Sequence, residues 1–153
     1  MHSARRATPA DAASLLELEA AARRSVAAQR GGPLLLAHDV RAFDPGDFAD
    51  SDRLVVLGTI DGVPVGYAVV ATSPLDGEAS LAVLEALFVD PEAREVAVGE
   101  AMMELVLEWC TARRVIGLDA VALPGDRATK NFFERFGLTA RAIIVHRSLR
   151  DAP

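Results

Sequence analysis

Glu85 is the one charged residue inside the apolar run at residues 79–89. It alternates with Val83 and Leu87 on one face of the predicted strand, where burial would raise its pKa toward the range useful for moving a proton near neutral pH. The competing reading is a partly solvated or salt-bridged structural glutamate. Directly after it, Asp90-Pro91-Glu92-Ala93-Arg94-Glu95-Val96-Ala97-Val98-Gly99 joins the strand to a helix predicted from about Val98 to Arg113. Such a junction exposes N–H groups at the positive end of a helix dipole, so a pyrophosphate would sit well there. An ordinary strand-to-helix connection would look the same.

Other chemistries find no support in the sequence. There is no G-x-S-x-G for a serine nucleophile and no G-K-S/T for a nucleotide loop, and the lone Gly99 falls short of a dinucleotide fingerprint. His2, His38, His146 and Cys110 lack metal-ligand spacing, so no metal is predicted. His146 reads as a structural histidine on an apolar strand, Cys110 as core volume, and the row Glu100, Glu104, Glu108 as a solvated helix face. Sixteen basic against twenty-two acidic residues give a net charge of −6, which disfavours binding along a phosphate backbone. A single cysteine, with no secretory-type N-terminus and no apolar run long enough to cross a bilayer, predicts a reducing cytoplasm and no membrane association.

The elements that must position these residues follow from pattern. The 153 residues, 51% of them hydrophobic, suit a single domain spanning 1–153. A short strand at residues 3–7 leads into a helix capped by Thr8 and Asp11, with Pro9 in its first turn and an apolar stripe of Leu15, Leu18, Ala22 and Val26. Gly31, Gly32 and Pro33 end it. Residues 31–52 read as a substrate-side loop with a short helix near Leu34 to Leu36. Residues 53–60 and 63–72 form a hairpin about Asp61-Gly62. The central strand at 79–89 follows, then a helix turning Val98, Met102, Leu105 and Trp109 inward. A strand at 115–122, a helix at 126–136 and a last long strand within 138–149 complete the chain. The expected fold is α/β, a mixed and mostly antiparallel sheet of six to seven strands flanked by about four helices.

Two segments carry a resemblance. Residues 94–99 resemble the cofactor motif Q/R-x-x-G-x-G/A of the GNAT superfamily of N-acetyltransferases, Arg94 and Gly99 matching its ends and Ala97 standing at the first glycine. Residues 126–138 resemble the second signature N-x-x-A-x-x-L/F-Y-E-K/R-x-G-F, with Asp126 at the asparagine and Phe133 at the tyrosine. The resemblance covers nearly the whole chain.

It implies a splay between the central strand (79–89) and the next parallel strand (115–122), filled by the pantetheine arm of acetyl-CoA bonding to the main chain at Leu87, Phe88 and Val89. The loop Arg94, Glu95, Val96, Ala97, Val98, Gly99, Glu100 would cradle the pyrophosphate, and Asp126, Asn131 and Phe133 would complete the coenzyme contacts. If that loop needs a positive φ at position 97, alanine would weaken it. A main-chain N–H near Phe88 or Val89 would serve the oxyanion. Glu85 would be the base, acting on a small amine, a peptide N-terminus or a lysine by direct attack in a ternary complex. Glu92, Glu95 and Glu100 put negative charge around the phosphate site, with Arg94 the nearby cation in sequence. The alternative is a non-catalytic member of the fold that binds acyl-CoA as a sensor or interaction module. Dimers are common in the family, so a homodimer is also implied.

Overall fold

The computed structural model describes residues 1–93 and 97–150. Its strands are β1 (His2–Arg6), β2 (Arg53–Ile60), β3 (Val63–Pro74), β4 (Ser80–Val89) and β5 (Leu118–Ala120); its helices are α1 (Ala12–Ala27), α2 (Gly32–His38), α3 (Val98–Ala112) and α4 (Arg127–Arg135). The strands form one sheet in chain order, antiparallel from β1 to β4 and parallel between β4 and β5. The mixed, mostly antiparallel α/β architecture is therefore as expected. The strand number is not: among the described residues five strands stand where six to seven were expected.

Local chemistry explains the elements that were expected. Asp61 and Gly62 adopt φ of 49° and 80°, the left-handed pair of a tight two-residue turn whose twist matches the strands it joins. At the start of α1, the Asp11 carboxylate accepts the Thr8 N–H at 2.8 Å and pairs with Arg5. Gly31, at φ 81°, lets α2 begin directly after α1.

Two apolar layers enclose the sheet. Leu15, Leu18 and Ala22 of α1 pack with Val55, Leu57, Tyr67, Val69 and Phe88 on one face. On the other face, Met102, Met103, Val106 and Cys110 of α3 and Phe133 of α4 meet Leu54, Val56, Ala68, Val70, Ala82 and Leu84. The buried stripe of α3 thus runs through Val98, Met102, Met103, Val106 and Cys110, while Leu105 and Trp109 flank it. Gly58 permits the close approach of α3: a Cβ there would lie 2.8 Å from Val98 and 2.9 Å from the Met102 sulfur.

The two C-terminal expectations need correction. β5 is three residues long rather than eight, and residues 139–150 belong to no strand and are all exposed. The β-branched run Ile143-Ile144-Val145 has strand propensity, but a strand forms only where a neighbouring ladder accepts its backbone.

Candidate active site

The pairing of β4 with β5 covers only Ala82–Leu84 against Leu118–Ala120, while β4 continues to Val89. Beyond Leu84 the two parallel strands are no longer laddered, which is the splay expected between them. A cavity of about 240 Å³ occupies this region. Its wall includes Glu19 and Arg23 from α1, Arg41 and Phe43 from the following loop, Val83 to Phe88 of β4, Val121 to Leu123 after β5, and Thr129 and Phe133 of α4. Because α1 and α4 pack on opposite faces of the sheet, the cavity crosses the sheet at the splay.

A β-bulge sits at Glu85. Val70 pairs with Leu84 and Val69 with Ala86, leaving Glu85 as the extra residue of β4. The bulge reverses the alternation: Leu84 packs on the α3 side, but Ala86 and Phe88 pack on the α1 side, and Leu87 and Val89 on the α3 side. Glu85 therefore lines the cavity near Val83 but does not share a face with Leu87, contrary to the simple alternation expected of the strand. Its side chain is 30% exposed and its Oε1 is held by Arg53 Nη1.

Arg53 links Glu85 to the loop over the cleft. A 3-10 turn at Pro45–Ala49 buries Asp47, which accepts from Arg41 at 2.5 Å and lies 3.7 Å from Arg53 Nε. Burial and the nearby Arg41 charge depress the Arg53 pKa from its usual value. The same loop is tied to α1 by Phe43 N–H donating to Glu19 at 2.6 Å. The expected substrate-side loop thus lies over the splay, anchored by ion pairs that end at Glu85.

The other expected residues divide by position. Leu87, Phe88, Phe133 and Asp126 line the cavity. Phe133 is a buried core residue, and the Asp126 carboxylate caps α4, accepting Thr129 N–H at 3.1 Å and Thr129 Oγ at 2.6 Å. Asn131 is exposed and outside the cavity wall. Ala97 precedes α3 with φ −75°, so this position does not require a left-handed backbone. Gly99 and Glu100 lie in the first turn of α3, and a Cβ at Gly99 would meet Phe132 and Val89 at an ordinary 3.6 Å. Val98 is buried beneath that turn. Arg94, Glu95 and Val96 lie outside the described residues.

Three residues that sequence reasoning passed over also belong to the neighbourhood. Tyr67, the one tyrosine of the chain, lines the cavity with its pKa pushed up by burial. Arg23 lines it too, with a buried Nη1 that has no hydrogen-bond partner among the described residues. Arg135 of α4 reaches Glu100 at 3.3 Å and stacks over Phe132, adding a cation beside the start of α3. Only the placement of Tyr67 in an apolar strand gave a sequence signal; the arginine contacts are tertiary. Among the described residues no group of side chains is arranged to hold a metal ion, and no helix is long and apolar enough to cross a membrane.

The residues present suit a coenzyme A-type ligand: a 15-residue helix opens beside the splay, its first turn carries a residue without a side chain, and apolar Leu87, Phe88 and Phe133 face the cavity.

Comparison with known proteins gives the same architecture. The acetyltransferase (GNAT) family model matches residues 14–138. A tetramutant of the BH1408 protein from Bacillus halodurans superposes with TM-score 0.78 at 16% identity, covering 95% of this chain and 99% of that one. A putative acetyltransferase from Agrobacterium tumefaciens gives 0.72 at 20% identity, with 95% and 99% covered. An aminoglycoside acetyltransferase from an uncultured soil metagenomic sample, in complex with sisomicin, gives 0.73 at 14%, with 99% and 97% covered. A search of curated proteins gives no match.

Proposed function

Because the chain belongs to the GNAT acetyltransferase family, we propose that it transfers an acyl group from acyl-CoA, acetyl-CoA by default, to a primary amine held in the same cavity. The observation that carries this reading is the cavity at the β4–β5 splay, with Glu85 on its wall. The coenzyme supplies an activated thioester; this chain's residues orient and neutralise. The first turn of α3, from Val98 to Glu100, with Arg135 beside it, would receive the pyrophosphate. Leu87, Phe88 and Phe133 would flank the acyl arm.

The acceptor would enter from the α1 side, between Arg23, Tyr67 and the loop carrying Arg41 and Phe43. Its nitrogen forms the new C–N bond as the C–S bond breaks, and Glu85 takes the amine proton directly or through water. Arg53 Nη1 donates to Glu85 Oε1 and so fixes the orientation of the carboxylate. The acceptor is a small amine, a peptide N-terminus or a lysine. No described residue stands in the place of the family's signature tyrosine except Phe133, which cannot give a proton to the departing thiolate.

A second reading, acyl-CoA binding without turnover, draws on that same Phe133 and on the ion pairing of Glu85. Calorimetric titration with acetyl-CoA, free CoA and 3′-dephospho-CoA, followed by an amine screen for released thiol, separates the two. Saturable binding with turnover supports transfer; binding without turnover on any amine leaves the sensor; absence of binding sinks both.

A further inference from the structure

The charged side chains on the cavity wall are not evenly paired. Arg41 pairs with Asp47 and Arg53 with Glu85, and the Asp126 carboxylate caps α4. Arg23 of α1 stands apart: half-buried on the wall, it enters no ion pair among the described residues, and its Nη1 has no hydrogen-bond partner there. Its own helix offers one. Glu19 precedes it by four residues, the spacing at which a glutamate and a following cation meet on a helix, yet Glu19 turns instead to the Phe43 N–H at 2.6 Å. The other buried nitrogen without a hydrogen bond among the described residues, Arg53 Nε, lies 3.7 Å from both Asp47 and Asp50, so its charge is compensated. Buried donors are nearly always paired, and an uncompensated guanidinium on the wall of a cavity points to an anion that arrives with the ligand.

A second donor stands in the same corner. Burial pushes the Tyr67 pKa up, with Glu19 adding to the shift and Arg23 opposing it, so the three groups are neighbours and the phenol keeps its proton. A guanidinium beside a phenol O–H suits a carboxylate, which accepts at both oxygens. Size narrows the ligand further. The cavity holds about 240 Å³ and must also take the acyl arm, against about 300–1,000 Å³ for ordinary small-molecule sites. On the loop side it is walled by Arg41 and Phe43, which are tied down through Asp47 and Glu19. That space suits a free small molecule better than the end of a longer chain, whose following residues would need an exit past the loop.

We propose that the acceptor is a small amino acid, held with its amine at Glu85 and its carboxylate on Arg23 and the Tyr67 hydroxyl. The proposal rests on the acyl-transfer reading for the amine end and names the substrate class of that site. The carboxylate takes no part in the bond changes. At the other end the C–N bond forms as the C–S bond breaks, the amine proton passes to Glu85, and the thiolate departs with the coenzyme. Glu85 and Arg23 act as opposite poles of the cavity, which fixes the direction of the substrate: reversed binding would set a carboxylate against Glu85 and an ammonium against Arg23. An amide or a plain alkylamine would enter but leave the guanidinium unpaired.

Calorimetric titration with glycine, β-alanine, γ-aminobutyrate and ε-aminocaproate, each beside its amide, into the protein alone and with free CoA, reads the anion contact without requiring turnover. Expected is saturable binding that peaks at one chain length, with the matching amide about tenfold weaker. Arg23→Gln should lower affinity for that acid by about tenfold and leave the amide unchanged, and Arg23→Lys should restore part of the loss; circular dichroism checks that each variant is folded. Equal affinity for acid and amide, an acid whose binding ignores Arg23→Gln, or no binding by any member of the series would overturn the assignment. The two readings fail separately. Acids that bind through Arg23 but yield no acyl product from acetyl-CoA would keep the anion site and sink the transfer, whereas amides or peptides acylated as fast as the acids would keep the transfer and sink the amino-acid acceptor.

Discussion

Arg53 and Glu85, thirty-two residues apart in the chain, meet as an ion pair on the wall of the cavity at the splay. The pair lies at a bulge that leaves Glu85 the extra residue of β4, where Asp47 and Asp50 flank the same guanidinium. It fixes the carboxylate proposed as the base and ties it to the loop above the cleft. Glu85→Gln should lower kcat at pH 7 by about 10²–10⁴-fold, the span of general-base catalysis, with little change in coenzyme affinity. Arg53→Met leaves the partly buried Glu85 without its cation, while Asp47 keeps Arg41, and should cost about 1–3 kcal/mol in denaturant unfolding. Full activity of Glu85→Gln with a true acceptor would remove Glu85 from the mechanism.

The coenzyme site turns on two residues at the start of α3. Ala97 already sits at φ −75°, so Ala97→Gly should leave acetyl-CoA affinity within about threefold of the parent, about 0.7 kcal/mol. Glu100 behaves differently, because it both holds Arg135 and repels an anion at the helix terminus. Glu100→Gln should tighten acetyl-CoA binding several-fold at low salt, and the gain should shrink as salt is raised. Calorimetry at two ionic strengths reads both effects.

How far the sequence reaches is visible in these same residues. The hairpin at Asp61-Gly62 was legible because its chemistry is local: two residues at positive φ between β-branched runs. The central strand and α3 were legible from periodicity. Glu85 was legible as an anomaly in an apolar strand, but its partner was not, since nothing local links residue 53 to residue 85. The bulge escaped for the same reason; alternation in one strand does not reveal how many residues face it in the next. The last strand failed differently. Propensity at Ile143 to Val145 indicated a strand, but a strand forms only where a neighbouring ladder accepts its backbone, and residues 139–150 enter no ladder.

Acid should loosen the entry to α1. Arg5 and the Thr8 N–H hold the Asp11 carboxyl down at about 2, against an ordinary 3.8. A depressed folded-state pKa contributes stability that is present above the ordinary value and is lost as pH falls from there toward the folded one. Stability from this residue should therefore be intact above pH 4 and decline between 4 and 2. Asp11→Asn should lower stability at pH 7 by about 1 kcal/mol, the usual scale for a helix-entry cap, and should lose less of it than the parent over that acid range.

In the proposed transfer, Arg23 should give the acceptor a chemical preference. Its Nη1 is buried on the wall of the cavity without a partner among the described residues, a cost that an anionic group on the substrate would relieve. Amines that also carry a carboxylate should be better acceptors than their amides, by about tenfold in kcat/KM. Arg23→Gln should erase that difference chiefly through KM. Equal rates with acid and amide in the parent would show that the guanidinium does not meet the acceptor.

Phe133 tests how the thiolate leaves in the proposed transfer. Its ring is buried between the core and the cavity, where the family signature places a hydroxyl. Phe133→Tyr adds that hydroxyl at the cost of about 1–3 kcal/mol if it finds no partner. If protonation of the leaving group limits the reaction, kcat should rise by about tenfold or more and acquire a new alkaline limb as the phenol titrates. An unchanged kcat in a folded variant would mean that the thiolate, with an ordinary thiol pKa of about 8.5, departs unaided. Substituting phenylalanine there would then leave transfer intact, and the reading of a binding protein without turnover would lose the observation that favours it most.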